Sequence, residues 1–137
     1  MNQVRVLLVD DHELVRRGLK EVLRDTRFAV CGEAENGEQG VEQTLNLKPH
    51  LVLLDMSMPV MTGLQAAKKI RKLAPETKII IVTIHNSPQM QAEAVAAGAD
   101  GYVTKMSAAT TLVSAMEALF EAPVPQLKAD RLPVRSS

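Results

Sequence analysis

The stretch VRVLLVDDHELVRRGL, Val4 to Leu19, decides the fold. Val4–Val9 is short, apolar without a break and rich in β-branched residues, the pattern of a strand buried on both faces. Asp10 and Asp11 end it. Helical spacing follows, with Leu14, Val15, Leu19, Val22 and Leu23 on one face and Glu13, Arg17 and Glu21 four apart on the outer surface. Two adjacent carboxylates at the end of a buried strand repel each other. At ~5 Å and an effective dielectric of ~20 the cost is about 3 kcal/mol, so their placement needs a reason.

The same alternation recurs along the chain. Phe28–Ala34 reads as a second strand, ended by the turn signal Asn36-Gly37, and Gly37–Leu47 as a helix with Pro49 beyond its end. Leu51–Leu54 is a third buried strand and runs into Asp55. Residues 57–63 read as a loop. Leu64, Ala67, Ile70, Arg71 and Leu73 then mark an amphipathic helix stopped before Pro75. KIIIVT, Lys78–Thr83, is the clearest strand. Ser87-Pro88 supplies an N-cap and a proline at the first helical position of a helix that ends at Ala97-Gly98. Gly101–Thr104 is a short fifth strand, and Ser107 opens a last helix carrying Leu112, Met116, Leu119 and Phe120. Strands apolar on both faces, alternating with helices, predict an α/β domain: a five-stranded parallel sheet with helices on both faces and right-handed crossovers. The domain should span 1–121. The segment 122–137, APVPQLKADRLPVRSS, holds three prolines and no helical stripe, and reads as a linker or tail.

Composition narrows the function classes. The 137 residues fit one domain, 46% of them are apolar, and only Phe28, Tyr102 and Phe120 are aromatic, so the core should be aliphatic. Lys plus Arg equals Asp plus Glu at 16 each, which gives no electrostatic case for direct binding to nucleic acid or an anionic membrane. Cys31 is the lone cysteine and fits a reducing compartment. No apolar run approaches the ~20 residues of a membrane span, and the N-terminus shows no signal peptide, so a cytoplasmic protein is expected. Gly32, Gly37 and Gly40 do not form a dinucleotide fingerprint. His12 and His50 read as turn or capping residues, Cys31 as a small packing residue, and Lys68, Lys69, Arg71 and Lys72 as a solvated face.

In open α/β sheets, sites form outside the carboxyl ends of the strands. That rule collects Asp10 and Asp11 from the first strand, Asp55 from the third, Thr83 from the fourth and Lys105 after the fifth. Three carboxylates together need a cation, and a hard divalent ion such as Mg²⁺ takes oxygen ligands. With a hydroxyl and an ammonium beside them, the set suits phosphoryl chemistry, in which a carboxylate can itself be the nucleophile.

LLVDDHELVRRGL, LVLLDMSMPVMTGL, IIIVT and GYVTK together resemble the CheY-like receiver domains of two-component response regulators, over residues 3 to 121. The resemblance implies a (βα)5, flavodoxin-like sheet in the order 2-1-3-4-5. It implies that Asp55 accepts the phosphoryl group. Mg²⁺ would be held by Asp11, by Asp10 directly or through water, by Asp55 and by the backbone carbonyl of Ser57. Thr83 and Lys105 would contact the phosphoryl oxygens, and Thr83 and Tyr102 would form the switch. VDDHELVRRGL, GEAENGEQGV, PETKIIIVTIH and ADGYVTK are similar to the NarL/FixJ-like subgroup, whose members usually carry a C-terminal DNA-binding domain. The implied partners are a histidine kinase or phosphotransfer protein, a second copy on phosphorylation, and DNA only through a domain absent from this chain. The implied activity is a phosphoacceptor switch of a phosphorelay, with transcription as output. A stand-alone receiver acting by protein contact, an aspartyl-phosphate hydrolase and a pseudo-receiver are the alternatives. A hydrolase of the haloacid-dehalogenase kind would want an acid where Ser57 stands.

The sequence departs from the family pattern in two places. Met106 follows Lys105 where many receivers have proline, so a trans bond is expected. Ile84 follows Thr83 where a small residue is common, and it should either narrow access to Asp55, restrict Tyr102 or pack at the rim. Ser57 and His85, two residues beyond Asp55 and Thr83, occupy positions that tune phosphoryl lifetime in the family.

Overall fold

Apolar runs become strands here because they can be covered on both sides. The structure, a computed structural model, describes residues 3–121. Its elements are β1 (Val4–Val9), α1 (Glu13–Val22), β2 (Phe28–Ala34), α2 (Gly37–Leu47), β3 (Leu51–Leu54), α3 (Gly63–Leu73), β4 (Lys78–Thr83), α4 (Pro88–Ala96), β5 (Gly101–Thr104) and α5 (Ala108–Phe120). A 3₁₀ turn, Lys105–Ser107, joins β5 to α5 and was not legible in the sequence. All strands are parallel, in the order 2-1-3-4-5 that the resemblance implied. The tail reading, 122–137, lies outside the described residues.

Alternation along β1 divides the core into two layers. Val4, Val6 and Leu8 face α1 and α5 and pack with Leu53, Ile80, Leu112 and Met116. Leu7 and Val9 face the other way and pack with Val52, Leu54, Ala67, Ile70 and Ile81 under α2, α3 and α4. Every residue of β3 is buried, as a central strand requires. Burying each large aliphatic side chain is worth roughly 1.5–3 kcal/mol, which makes this sheet the stable frame for its loops.

Two local features, at Leu14 and Arg71, differ from the sequence reading, and a third, at Cys31, adds to it. Leu14, assigned to the buried face of α1, is 74% exposed. Cys31 sits at a β-bulge: Val6 pairs with Val30 but Leu7 pairs with Gly32, so Cys31 is the extra residue. Arg71 is not part of a solvated face. Its guanidinium donates to the carbonyls of Gly98, Pro75 and Thr77 and to Asp100, tying the end of α3 to the α4–β5 connection. His50 is a turn residue as expected: its Nδ1 accepts from the Arg5 N–H at 2.9 Å. The expected cap holds too, with Ser87 Oγ accepting from the Met90 N–H.

The loop after β3 is held by its own backbone turn and by close packing. Val60 has φ of 70°, and the Met61 N–H donates to the Pro59 carbonyl at 2.7 Å, a γ-turn of the rare, strained hand. Thr62 and Gln65 then close a capping box that starts α3. Gly63 lies directly against the backbone of the strand end: its N–H donates to the Met56 carbonyl, and a Cβ there would collide with the carbonyl of Asp55. Gly63→Ala should therefore cost about 1–3 kcal/mol. The check is the urea unfolding midpoint, and an unchanged midpoint would show that the turn has room to spare.

Candidate functional site

Parallel pairing in the observed register brings the strand ends to one edge of the sheet. Val9 pairs with Leu54, so Asp10 and Asp55, each one residue further on, leave the sheet side by side. Thr83 pairs with Thr104, which puts Lys105 just beyond the end of β4. The structure thus joins three residues that the sequence scattered. Lys105 Nζ lies 2.8 Å from Asp10 Oδ2 and 3.3 Å from Asp55 Oδ1. Both carboxylates are almost fully buried.

Asp10 has a partner on every side. Its N–H donates to the Ala34 carbonyl, Oδ1 accepts from the His12 N–H at 2.8 Å, and Oδ2 faces Lys105. Asp11 differs. Its Oδ1 is buried and accepts no hydrogen bond; His12 Nδ1 lies 3.0 Å away without forming one. A buried carboxylate oxygen with no donor is costly, and a cation is the group that would satisfy it. Ligand atoms of Asp10, Asp11 and His12 lie within 4.8 Å of one another. Asp55 is not part of that trio and joins it through Lys105. The acidic set therefore fits Mg²⁺.

The same crowding sets the ionisation of the site. Burial raises the pKa of Asp55, the charge of Asp10 raises it further, and Lys105 offsets this only in part. Burial works against the Lys105 ammonium, but its hydrogen bond to Asp10 and the charges of Asp55 and Asp10 outweigh that and hold its pKa above the usual lysine value.

Thr83 and Tyr102 are linked to each other rather than to the acids. Thr83 is buried at the end of β4, and its Oγ1 accepts from the His85 N–H at 3.3 Å. Tyr102 Oη donates to the His85 carbonyl at 2.7 Å. One residue of backbone thus connects Thr83 and Tyr102, a contact of His85 that its side chain could not have signalled. Among the described residues no hydrogen bond runs from Thr83 to Asp55 or Lys105. Ser57 is exposed in the turn that follows Asp55. His12 occupies the N-cap position of α1, as a turn residue would, yet makes no side-chain cap; its imidazole sits on the acids instead.

Both departures from the family pattern stand outward. Ile84 is 74% exposed and Met106 is 96% exposed, so Ile84 does not pack into the rim. All described peptide bonds are trans, including the one after Lys105.

Comparison with known proteins agrees with this geometry. The family described as the response regulator receiver domain matches residues 6–117. Response regulator UvrY of Escherichia coli is 42% identical over 118 residues, which cover 85% of this chain and 54% of UvrY. Transcriptional regulatory protein YdfI of Bacillus subtilis is 40% identical over 115 residues, 83% of this chain and 54% of YdfI. The chain thus spans about half the length of these relatives. Among solved structures, the isolated REC domain of RcsB from Salmonella enterica, determined with the phosphomimetic BeF3⁻, superposes with a TM-score of 0.81 at 29% identity. It covers 88% of this chain and 91% of that domain. A CheY-like sheet with these motifs at its strand ends, matched over most of its length, belongs to the response regulator receiver domain family.

Proposed function

We propose that this receiver is switched by phosphoryl transfer onto Asp55. The observation that carries the reading is the convergence of Asp10, Asp55 and Lys105 at one sheet edge, beside a buried Asp11 oxygen that lacks a donor. The donor is phosphohistidine on a histidine kinase or phosphotransfer protein. An Asp55 oxygen forms the O–P bond in line as the donor N–P bond breaks. The electron pair stays on the donor nitrogen, which takes a proton from solvent. Mg²⁺ held by Asp11, Asp10, Asp55 and the Ser57 carbonyl would supply charge neutralisation at the attacking and phosphoryl oxygens. Lys105 already lies beside Asp55 and pairs with the incoming negative charge.

The readout runs through the fourth and fifth strands. When Thr83 turns its hydroxyl to the new phosphoryl oxygens, it leaves the His85 N–H, and the Tyr102 bond to the His85 carbonyl shifts with it. This biases the α4–β5–α5 face between two packings and favours pairing with a second copy. The match to about half of a transcriptional regulatory protein supports transcription, through a DNA-binding domain, as the output.

Three measurements test the reading. Asp55→Asn should abolish Mg²⁺-dependent labelling by acetyl phosphate or by a phosphorylated kinase; persistent labelling would identify another acceptor. Mg²⁺ should raise the melting temperature, by the equivalent of about 2.7 kcal/mol at a hundred times its Kd, and Asp11→Ala should remove most of that gain. The third uses pH. The folded-state pKa of Asp55 lies above its unfolded value, so its stabilising contribution is complete below ~3.9 and is lost as pH rises through the folded value. In EDTA, Asp55→Asn should therefore melt above the parent at neutral pH, and the difference should shrink as pH falls toward ~4. A difference independent of pH would mean that Asp55 carries no such strain.

A further inference from the structure

Arg16 lies one turn into α1, on the helix that follows the two acids, and its side chain is only 12% exposed. Its guanidinium spans two elements. Nη1 donates to the backbone carbonyl of Asp10 at 2.7 Å, and Nε donates to Glu33 Oε1 at 2.8 Å. Glu33 is on β2, at the edge of the sheet, and its second oxygen accepts from Lys20 at 2.7 Å. Lys20 and Arg16 together hold the Glu33 carboxyl below its usual pKa, so the anchor stays ionised and doubly bonded at neutral pH.

We propose that Arg16 is a positioning residue for the acids, setting the direction in which Asp11 offers its unpartnered oxygen to a cation; this rests on the functional reading above. The Asp10 carbonyl belongs to the peptide plane that begins Asp11. Holding that carbonyl fixes the plane that enters the Asp11 Cα, and the His12 N–H bond to Asp10 Oδ1 holds the plane that leaves it; the two together set the direction of the Asp11 Cα–Cβ bond. The other end of Asp10 is already fixed, since its N–H is bonded to Ala34 and its carboxylate to His12 and Lys105. Arg16 holds the one remaining polar group of Asp10, its carbonyl. The planar fork suits the task, because one guanidinium reaches a turn carbonyl and an edge-strand carboxylate at once, which a lysine ammonium on a flexible stem does less well.

Orientation and charge predict opposite outcomes. A cationic guanidinium near the acids repels a metal ion, so if Arg16 acted only through its charge, deleting it would tighten Mg²⁺ binding. Positioning predicts weaker binding, and outer partners that orient metal-binding groups typically contribute 10–100-fold in affinity. The test is calorimetric Mg²⁺ titration of the 137-residue chain, with melting in EDTA recorded in parallel. Arg16→Met should raise the Mg²⁺ Kd about tenfold. Arg16→Lys, which keeps the charge, should recover only part of the loss, and Glu33→Ala, which frees the far end of the fork, should weaken binding less than Arg16→Met. A merely structural role would lower the melting temperature in EDTA and leave the Kd unmoved. Unchanged or tighter binding in Arg16→Met overturns the proposal. If that variant does not fold, unchanged binding in both Arg16→Lys and Glu33→Ala overturns it. A parent chain that binds no Mg²⁺ overturns the functional reading as well, whereas a binding parent with unaffected variants overturns this inference alone.

Discussion

Carboxylates crowded at the carboxyl edge of an otherwise apolar sheet repel one another, and the arrangement of this receiver answers that repulsion. Asp10 and Asp55 are brought together by the β1–β3 register, buried, and bridged by one ammonium from beyond β5. That bridge exists only if β3, β4 and β5 lie in this order, so the placement of Lys105 depends on the whole second half of the sheet. Asp55 ionises reluctantly because it is buried and, second, because one lysine between two carboxylates leaves a net negative charge beside it. A site of this kind is held slightly unstable by the frame around it, and the cores on either face of the sheet are what make that tolerable.

The fixed and the poised parts of the site are distinct. Asp10, Gly63 and the γ-turn at Val60 belong to a tightly determined frame, with bonds on each group or no room for a side chain. The Asp11 oxygen has no donor, and Thr83 and Tyr102 are each tied to the His85 backbone by one hydrogen bond. In the proposed switch, a cation and a phosphoryl group would act on these and leave the frame intact. Small local changes of partner can then bias a surface, because packed elements shift between discrete arrangements rather than deforming smoothly.

Much of this was legible in the amino-acid order. Strand bounds were readable because fully buried parallel strands are apolar without interruption, and the helix at Ser87-Pro88 because its cap chemistry is local. The acids, Thr83 and Lys105 were readable as strand-end residues, since their positions relative to the apolar runs need no coordinates. Other features escaped for definite reasons. Leu14 falls on the helical stripe, yet at the first turn of α1 nothing lies over it. Arg71 looks like one charge in a basic run, but its partners come from residues 75–100, which only folding brings near. The bulge at Cys31 depends on how β2 meets β1, and spacing within one strand carries no trace of it.

The sequence by itself determined the element pattern, the both-faces burial of the sheet and the identity of the groups at its carboxyl edge. These follow from periodicity and strand-end position, which are properties of short stretches. Only the tertiary structure decided which of those groups meet. It paired Lys105 with both Asp10 and Asp55, linked Thr83 to Tyr102 through the backbone of His85, set Arg16 against the Asp10 carbonyl, and left the Asp11 oxygen without a donor. The reason is geometric. Hydrogen bonds and ion pairs are settled over a few ångströms between atoms that lie tens of residues apart in sequence, and register and sheet order alone bring them within reach.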